Sequence, residues 1–214
     1  MFVKNFMTND PIVIAPQASI SYAVDLLKTH GLKRLPVVEK SKLVGLVTEA
    51  DLLKALPSQA TALSKHEINY LTSKITISEI MTRNLITTTS DSTAEEAVML
   101  MRQHDVGCLP VLDSNKKLVG IITESNVFEA LTKLLGLHQA GLRITIEVTE
   151  EIGVIAKLSQ TIKDLDITII SLATFATSEE KGTIILRLAT NDNEKVIRTL
   201  ADQGFNILHW TNLH

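Results

Sequence analysis

The sequence predicts an α+β protein in which a β-α-β-β-α unit occurs twice and is followed by a β-α-β-β-α-β unit. Three observations lead there. Residues 7–56 align with residues 81–131 at an offset of 74, then 75 after one inserted residue, with about 18 of 50 positions identical. Apolar spacing switches between helical and strand periods in the same order in both copies. From residue 142 onward there is no third copy, and Arg143–Thr149 opens the new unit with a two-residue alternation.

Each copy opens on a short strand, Ile12–Ile14 or Ile86–Thr88. An amphipathic helix follows: Ile20, Ala23, Val24 and Leu27 stand at i, i+3, i+4 and i+7, as do Ala94, Ala97, Val98 and Met101. His30-Gly31 closes the first helix, with glycine in the usual C-terminal place. The runs Leu35–Glu39 and Leu43–Val47 form a hairpin whose continuous apolar stretches call for cover on both faces. A second helix begins after Thr48 or Thr123. Units of about 50 residues are marginal alone, so the two copies are expected to bury their sheets against each other. Residues 1–60 form the first copy, 61–76 a linker with one helical piece, and 77–138 the second copy.

Residues 142–214 form the last unit. Arg143–Thr149 alternates as a half-exposed strand, and a helix carries Val154, Leu158 and Ile162 on one face. Ile167–Thr177 and Thr183–Ala189 read as strands around a Glu180-Lys181-Gly182 turn. Asp192–Gly204 reads as a helix and Phe205–Trp210 as the closing strand.

Composition narrows the function. Apolar residues make up 45% and charged residues 21%, an ordinary globular balance. The net charge of −3 and 4% aromatics argue against a nucleic-acid binder. The single cysteine, Cys108, excludes an internal disulfide and a cysteine-built zinc site. The first ten residues do not read as a signal peptide, and no stretch approaches 18 apolar residues, so the expectation is a cytoplasmic protein with no membrane partner.

Two motifs could bind a ligand. Thr48-Glu49-Ala50-Asp51, matched by Thr123-Glu124-Ser125-Asn126, stands where a strand gives way to a helix. Such a T-x-x-D pattern is a helix cap worth about 1 kcal/mol. The same carboxylate beside a hydroxyl can hold vicinal hydroxyls such as those of a ribose, each bond to a charged acceptor contributing about 1.5–3 kcal/mol. Asn126 offers no charge and should hold a diol more weakly. In the second motif, Gly31 to Pro36, Lys33 and Arg34 could meet an anion, or could be a solvated pair on a strand edge. Their counterparts, Gly107 and Cys108, carry no charge.

These segments, 31–36 with 105–110 and 48–51 with 123–126, resemble CBS domains, and the pair resembles a Bateman module. The resemblance implies two clefts between the copies for an adenosine-type ligand: AMP, ADP, ATP, S-adenosylmethionine or cyclic di-AMP. It assigns ribose contacts to Thr48 and Asp51 and to Thr123 and Asn126. It assigns adenine contacts to Ile12, Val13, Leu32 and Pro36, and to Ile86, Thr87, Val106 and Pro110, and phosphate contacts to Lys33 and Arg34 alone. Asp105, Cys108 and Asn126 depart from the pattern, so unequal clefts are expected, with the Asp51 cleft the better one.

The last unit is similar to ACT domains in its element order and in the turn from Glu150 to Leu158. That similarity implies an amino-acid site at Glu150, Ile152, Gly153 and Val154. The whole arrangement resembles the acetoin utilisation protein AcuB family, which implies a homodimeric regulator near acetoin catabolism acting on an unidentified protein. The alternative is a ligand-free interaction module that modulates a partner enzyme or transporter. No required cofactor, metal site or catalytic constellation is expected: no two histidines stand at HExxH spacing, and no P-loop, G-x-G-x-x-G or G-x-S-x-G occurs. His30 and His104 read as helix C-terminal cations, and Cys108 as a small buried hydrophobe.

Overall fold

The computed structural model describes residues 1–55, 74–149, 151–178 and 180–213. The chain divides into two compact units, Met1–Phe128 and Glu129–His214. The piece expected to be a helical linker lies mostly outside the described residues, as does Glu150.

In the first unit, the first copy carries β1 (Thr8–Asn9), α1 (Ile20–His30), β2 (Arg34–Glu39), β3 (Lys42–Thr48) and α2 (Glu49–Ala55). The second carries a one-turn helix α3 (Ile77–Ile80), β4 (Thr88–Thr89), α4 (Ala94–His104), β5 (Cys108–Leu112), β6 (Leu118–Thr123) and α5 (Glu124–Leu134), whose last six residues belong to the second unit. Ser19 caps α1 by accepting the Tyr22 N–H at 3.3 Å, and Gly31 ends it in the left-handed region at φ 63°. Thr93 and Glu96 form a reciprocal capping box on α4. That helix ends on Asp105 at φ 52°, so an aspartate adopts the conformation that its counterpart Gly31 adopts freely.

The expected opening strands are shorter than predicted. Ile14 makes one parallel bridge to Val37, and in the second copy pairing is confined to Thr88 and Thr89, alongside Val111 and Leu112. Residues 12 and 86 therefore lie ahead of the pairing, outside any strand.

The copies exchange their leading segments. β1 pairs with β6 of the other copy, Thr8 opposite Ile121 and Asn9 opposite Gly120. Reciprocally, Thr82 pairs with Leu46 on β3, through bonds of 2.9 and 3.0 Å. Val3 is fully buried in the second copy's core with Ala97, Met101, Leu109, Val111 and Ile122. Ile77 and Met81 complete the first copy's core with Ile20, Leu27, Leu35, Val47 and Leu52. A glycine at each crossing makes room for a methionine: a Cβ on Gly45 would stand 2.4 Å from Met81 Sδ, and one on Gly120 2.6 Å from Met7 Sδ.

The second unit has the expected β-α-β-β-α-β order: β7 (Gly141–Thr149), α6 (Val154–Asp164), β8 (Ile169–Ala176), β9 (Lys181–Leu188), α7 (Asn193–Asp202) and β10 (Asn206–Leu213). The sheet runs β10-β7-β9-β8 with every neighbouring pair antiparallel. Lys181 and Gly182, read from sequence as turn residues, already belong to β9, opposite Thr149 and Val148. Alternation on β7 sends Leu142, Ile144 and Ile146 into a core shared with Leu158, Ile162, Leu186, Val196 and Leu200. Arg143, Thr145 and Glu147 occupy the opposite face.

Candidate functional site

The two T-x-x-D/N turns are built alike. The Thr48 N–H and Oγ1–H both donate to Asp51 Oδ2, at 2.9 and 2.7 Å, and the Asp51 N–H returns to Thr48 Oγ1 at 3.2 Å. One carboxylate oxygen therefore closes the cap, and Oδ1 has no protein donor among the described residues. In the second copy, the Thr123 N–H and Oγ1–H donate to Asn126 Oδ1 at 2.9 and 2.8 Å. Because the amide oxygen is committed, the group left over is the Nδ2 amide, a donor. The first turn thus offers a ligand a charged acceptor and the second a neutral donor. Cap and ligand contact are compatible at Asp51, since they use different oxygens.

The hairpin registers set what stands beside each turn. Arg34 is the cross-strand partner of Thr48, and Cys108 is the partner of Thr123. Arg34 does not remain with its own copy: its Nη1 donates to the Gly107 carbonyl, 73 residues away. That carbonyl also accepts the Glu124 N–H at 3.2 Å. The counterpart carbonyl, Lys33, accepts the Glu49 N–H at 2.9 Å. A Cβ on Gly107 would lie 3.1 Å from Glu124 Oε2 and 3.3 Å from Arg34 Nη1, so these three groups converge closely. Nothing in the sequence spacing pointed to Gly107 or Glu124 as neighbours of Arg34. Lys33 is exposed.

Cys108 is 5% exposed beside this cluster. Burial pushes its thiol above the ordinary cysteine value, more than the Arg34 guanidinium pulls it down. It therefore stays a neutral thiol, as befits a small buried hydrophobe.

The residues expected around an adenine fall in equivalent places. Ile12 and Leu32 are half-buried against the first core, and Ile86 and Val106 against the second. Pro36 and Pro110 are buried in β2 and β5, Thr87 is half-buried, and Val13 is 43% exposed. The Pro36 carbonyl accepts the Ile14 N–H at 3.0 Å, which fixes Ile14 beside β2.

In the second unit, Ile152, Gly153 and Val154 line a cavity of about 460 Å³ together with Glu147, Lys157 and Lys181. Gly153 holds φ 97°, and no side chain caps the helix it opens. Glu147 accepts from Lys181 at 3.1 Å and from Asn206 Nδ2 at 3.0 Å, and these bonds, Lys181 foremost, hold its carboxyl below the usual glutamate range. Lys157 Nζ donates to the Gln203 carbonyl at 2.7 Å and lies 5.4 Å from the Phe205 ring centre. Glu147 and Lys181 were not among the residues singled out from sequence. They stand in separate strands, and only the register of β7 with β9 brings them together.

Among the described residues no cluster of His, Cys, Asp and Glu could hold a metal ion, and no helix is long and apolar enough to cross a membrane.

Comparison with known proteins agrees with this architecture. The CBS domain family model matches residues 3–58 and 77–133, and a TTHA0829-like ACT domain model matches residues 140–210. Protein MJ1225 of Methanocaldococcus jannaschii is 31% identical over 129 residues, 59% of this chain and 46% of that protein. The chain spans less than half the length of the first curated relatives it matches. Among solved structures, the CBS domain pair of protein MJ0100 in complex with 5′-methylthioadenosine and S-adenosyl-L-methionine is 30% identical, with a TM-score of 0.51 over 61% of this chain and 95% of that one. A putative acetoin utilization protein (AcuB) from Vibrio cholerae is 27% identical, with a TM-score of 0.53 over 64% of this chain and 95% of that one.

Proposed function

The chain belongs to the CBS-domain family, as a tandem pair followed by a TTHA0829-like ACT domain, and from that premise we propose that it is a regulatory protein sensing an adenosine-type ligand between its CBS copies. The observation that carries this reading is the Thr48–Asp51 turn. It caps a helix with one carboxylate oxygen and keeps the other for a ligand hydroxyl. The adenosine-type ligands in the MJ0100 pair support the ligand class. Among AMP, ADP, ATP, S-adenosylmethionine and cyclic di-AMP, the chemistry shared with this turn is the ribose diol.

The Asp51 cleft is the stronger of the two. A diol donates to a carboxylate with charge assistance, whereas Asn126 presents an amide that can only donate. Ligand binding biases the packing of the pair by no more than its differential affinity for two arrangements. The ACT domain adds a second input, an amino acid in the cavity beside Gly153, whose backbone comes close without a Cβ and whose helix start lacks a side-chain cap. A homodimer in the cytoplasm with a role near acetoin catabolism follows from the AcuB-like architecture and belongs to the same proposal.

The test is thermal unfolding of the full chain against the adenosine panel, followed by calorimetry. A ligand at 100 times its dissociation constant adds about 2.7 kcal/mol of stability. Stabilisation that is lost in Asp51→Asn supports the reading. A flat response across the panel refutes it and favours the second reading, a ligand-free module acting on a partner protein. One observation favours that alternative: Thr48, Asp51 and Arg34 all have protein partners.

A further inference from the structure

The face of the C-terminal sheet opposite its core, covered in part by residues 135 and 136 just past α5, carries a charge arrangement that folding alone does not explain. Arg143 on β7 and Arg187 on β9 are direct cross-strand partners in the two central strands. Side chains so paired stand about 4.5–5.5 Å apart at Cβ, and like charges there are destabilising. Arg187 is 7% exposed, and burial is the main influence disfavouring its charge, with Arg143 adding to it.

Among the described residues neither arginine takes part in an ion pair. The carboxylate on the same face is Glu147, four residues along β7, and it is engaged by Lys181 and Asn206. Four residues of strand span about 13 Å, beyond contact. Arg187 donates to the Gly136 carbonyl at 3.0 Å, just past the C-terminal end of α5, which accounts for one of its five donors. Arg143 donates to Thr145 Oγ1 at 2.9 Å, a neutral partner. The register extends the row on both sides: Thr211 lies opposite Arg143, and Ser171 opposite Arg187. Two guanidiniums flanked by two hydroxyls thus cross all four strands in one line, with the hydroxyl protons already engaged: Ser171 donates to the Leu135 carbonyl at 2.9 Å and Thr211 to the Asn212 carbonyl at 3.3 Å.

We propose that the Arg143–Arg187 pair binds an oxyanion, a carboxylate or phosphate group of a small molecule, through the guanidinium donors the protein leaves unused. Guanidinium forks match such groups bidentately, and one anion between two arginines removes their repulsion. The site lies on the face opposite the core of the C-terminal unit and does not depend on the adenosine reading above.

The experiment uses the full chain, wild type and Arg143→Met, titrated with inorganic phosphate and separately with acetate, ionic strength held constant with chloride. Calorimetry and thermal unfolding are both read. Saturable binding and a melting rise of a few degrees are expected for wild type. Arg143→Met should bind neither anion, yet melt at or above wild type in chloride, because the repulsion is gone. Arg143→Lys, a point charge without the fork, should retain part of the response. Two outcomes overturn the site. One is an equal anion response in wild type and Arg143→Met, which marks a general salt effect. The other is no response in wild type. If in that case sedimentation shows a wild-type dimer that Arg143→Met dissociates, an acidic side chain of a second copy occupies the row instead.

Discussion

A single oxygen separates the two roles of Asp51. Its Oδ2 closes the helix cap, and the second copy shows that an asparagine oxygen closes the same cap equally well, at 2.8 Å from Thr123 Oγ1. Asp51→Asn should therefore leave stability within about 0.5 kcal/mol of wild type. It should weaken an adenosine-type ligand by about 1.5–3 kcal/mol, read by calorimetry. Asp51→Ala should do both harms, adding about 1 kcal/mol of lost cap in urea unfolding. Equal ligand affinity in the asparagine variant would remove Asp51 from the site. At the end of α4, Asp105 holds φ 52° beside the negative end of the helix dipole. Asp105→Gly should stabilise the protein by about 1 kcal/mol, measured as a shift in urea midpoint without a change in slope. The departure from the family pattern at residue 105 thus has a conformational cost, and it was visible in the sequence as an aspartate where the first copy has Gly31.

Helices and hairpins were legible because each follows from a local period. Ile20, Ala23 and Leu27 are all buried, as the i, i+3, i+7 spacing requires, and β7 alternates as read. What the sequence could not display is pairing across long separations. The crossing of β1 onto β6 rests on contacts more than a hundred residues apart, and a two-residue strand has no period to detect. The same limit hid Arg34 on the Gly107 carbonyl and Glu147 beside Lys181. At this scale the glycine–methionine crossings are testable. Gly45→Ala should cost about 1–3 kcal/mol by overpacking against Met81. A double-mutant cycle with Met81→Ala should recover part of that loss, since the two residues are in contact. Simple additivity would mean that the crossing is not where the strain lies.

Over the whole molecule, the two compact units set how conditions act. Acid should reach the C-terminal unit through Glu147. Its carboxyl sits below the ordinary glutamate value in the folded state, owing first to Lys181 and then to Asn206. Its contribution is therefore complete above that ordinary value and is lost as pH falls through the lower, folded one. Glu147→Gln should flatten that part of the acid profile, followed by circular dichroism, and an unchanged profile would assign acid sensitivity to other groups. An adenosine-type ligand, by contrast, should raise the unfolding transition of residues 1–128 and leave the C-terminal transition in place.

The exchange of leading segments also bears on how the chain is made. Strand β1 leaves the ribosome well before its partner positions, Gly120 and Ile121, which emerge more than a hundred residues later. At about 5–20 residues per second the wait lasts several seconds, long on the scale of hairpin formation. The first copy is held open for less time, because its core lacks only Ile77 and Met81 and closes once those residues appear. The second copy, which takes Val3 into its core and β1 onto β6, must wait for its own last strand. A ribosome stalled with residues up to about 85 exposed should carry a first copy that resists proteases and a leading segment that they still cut, while one stalled late enough to expose all of β6 should protect both.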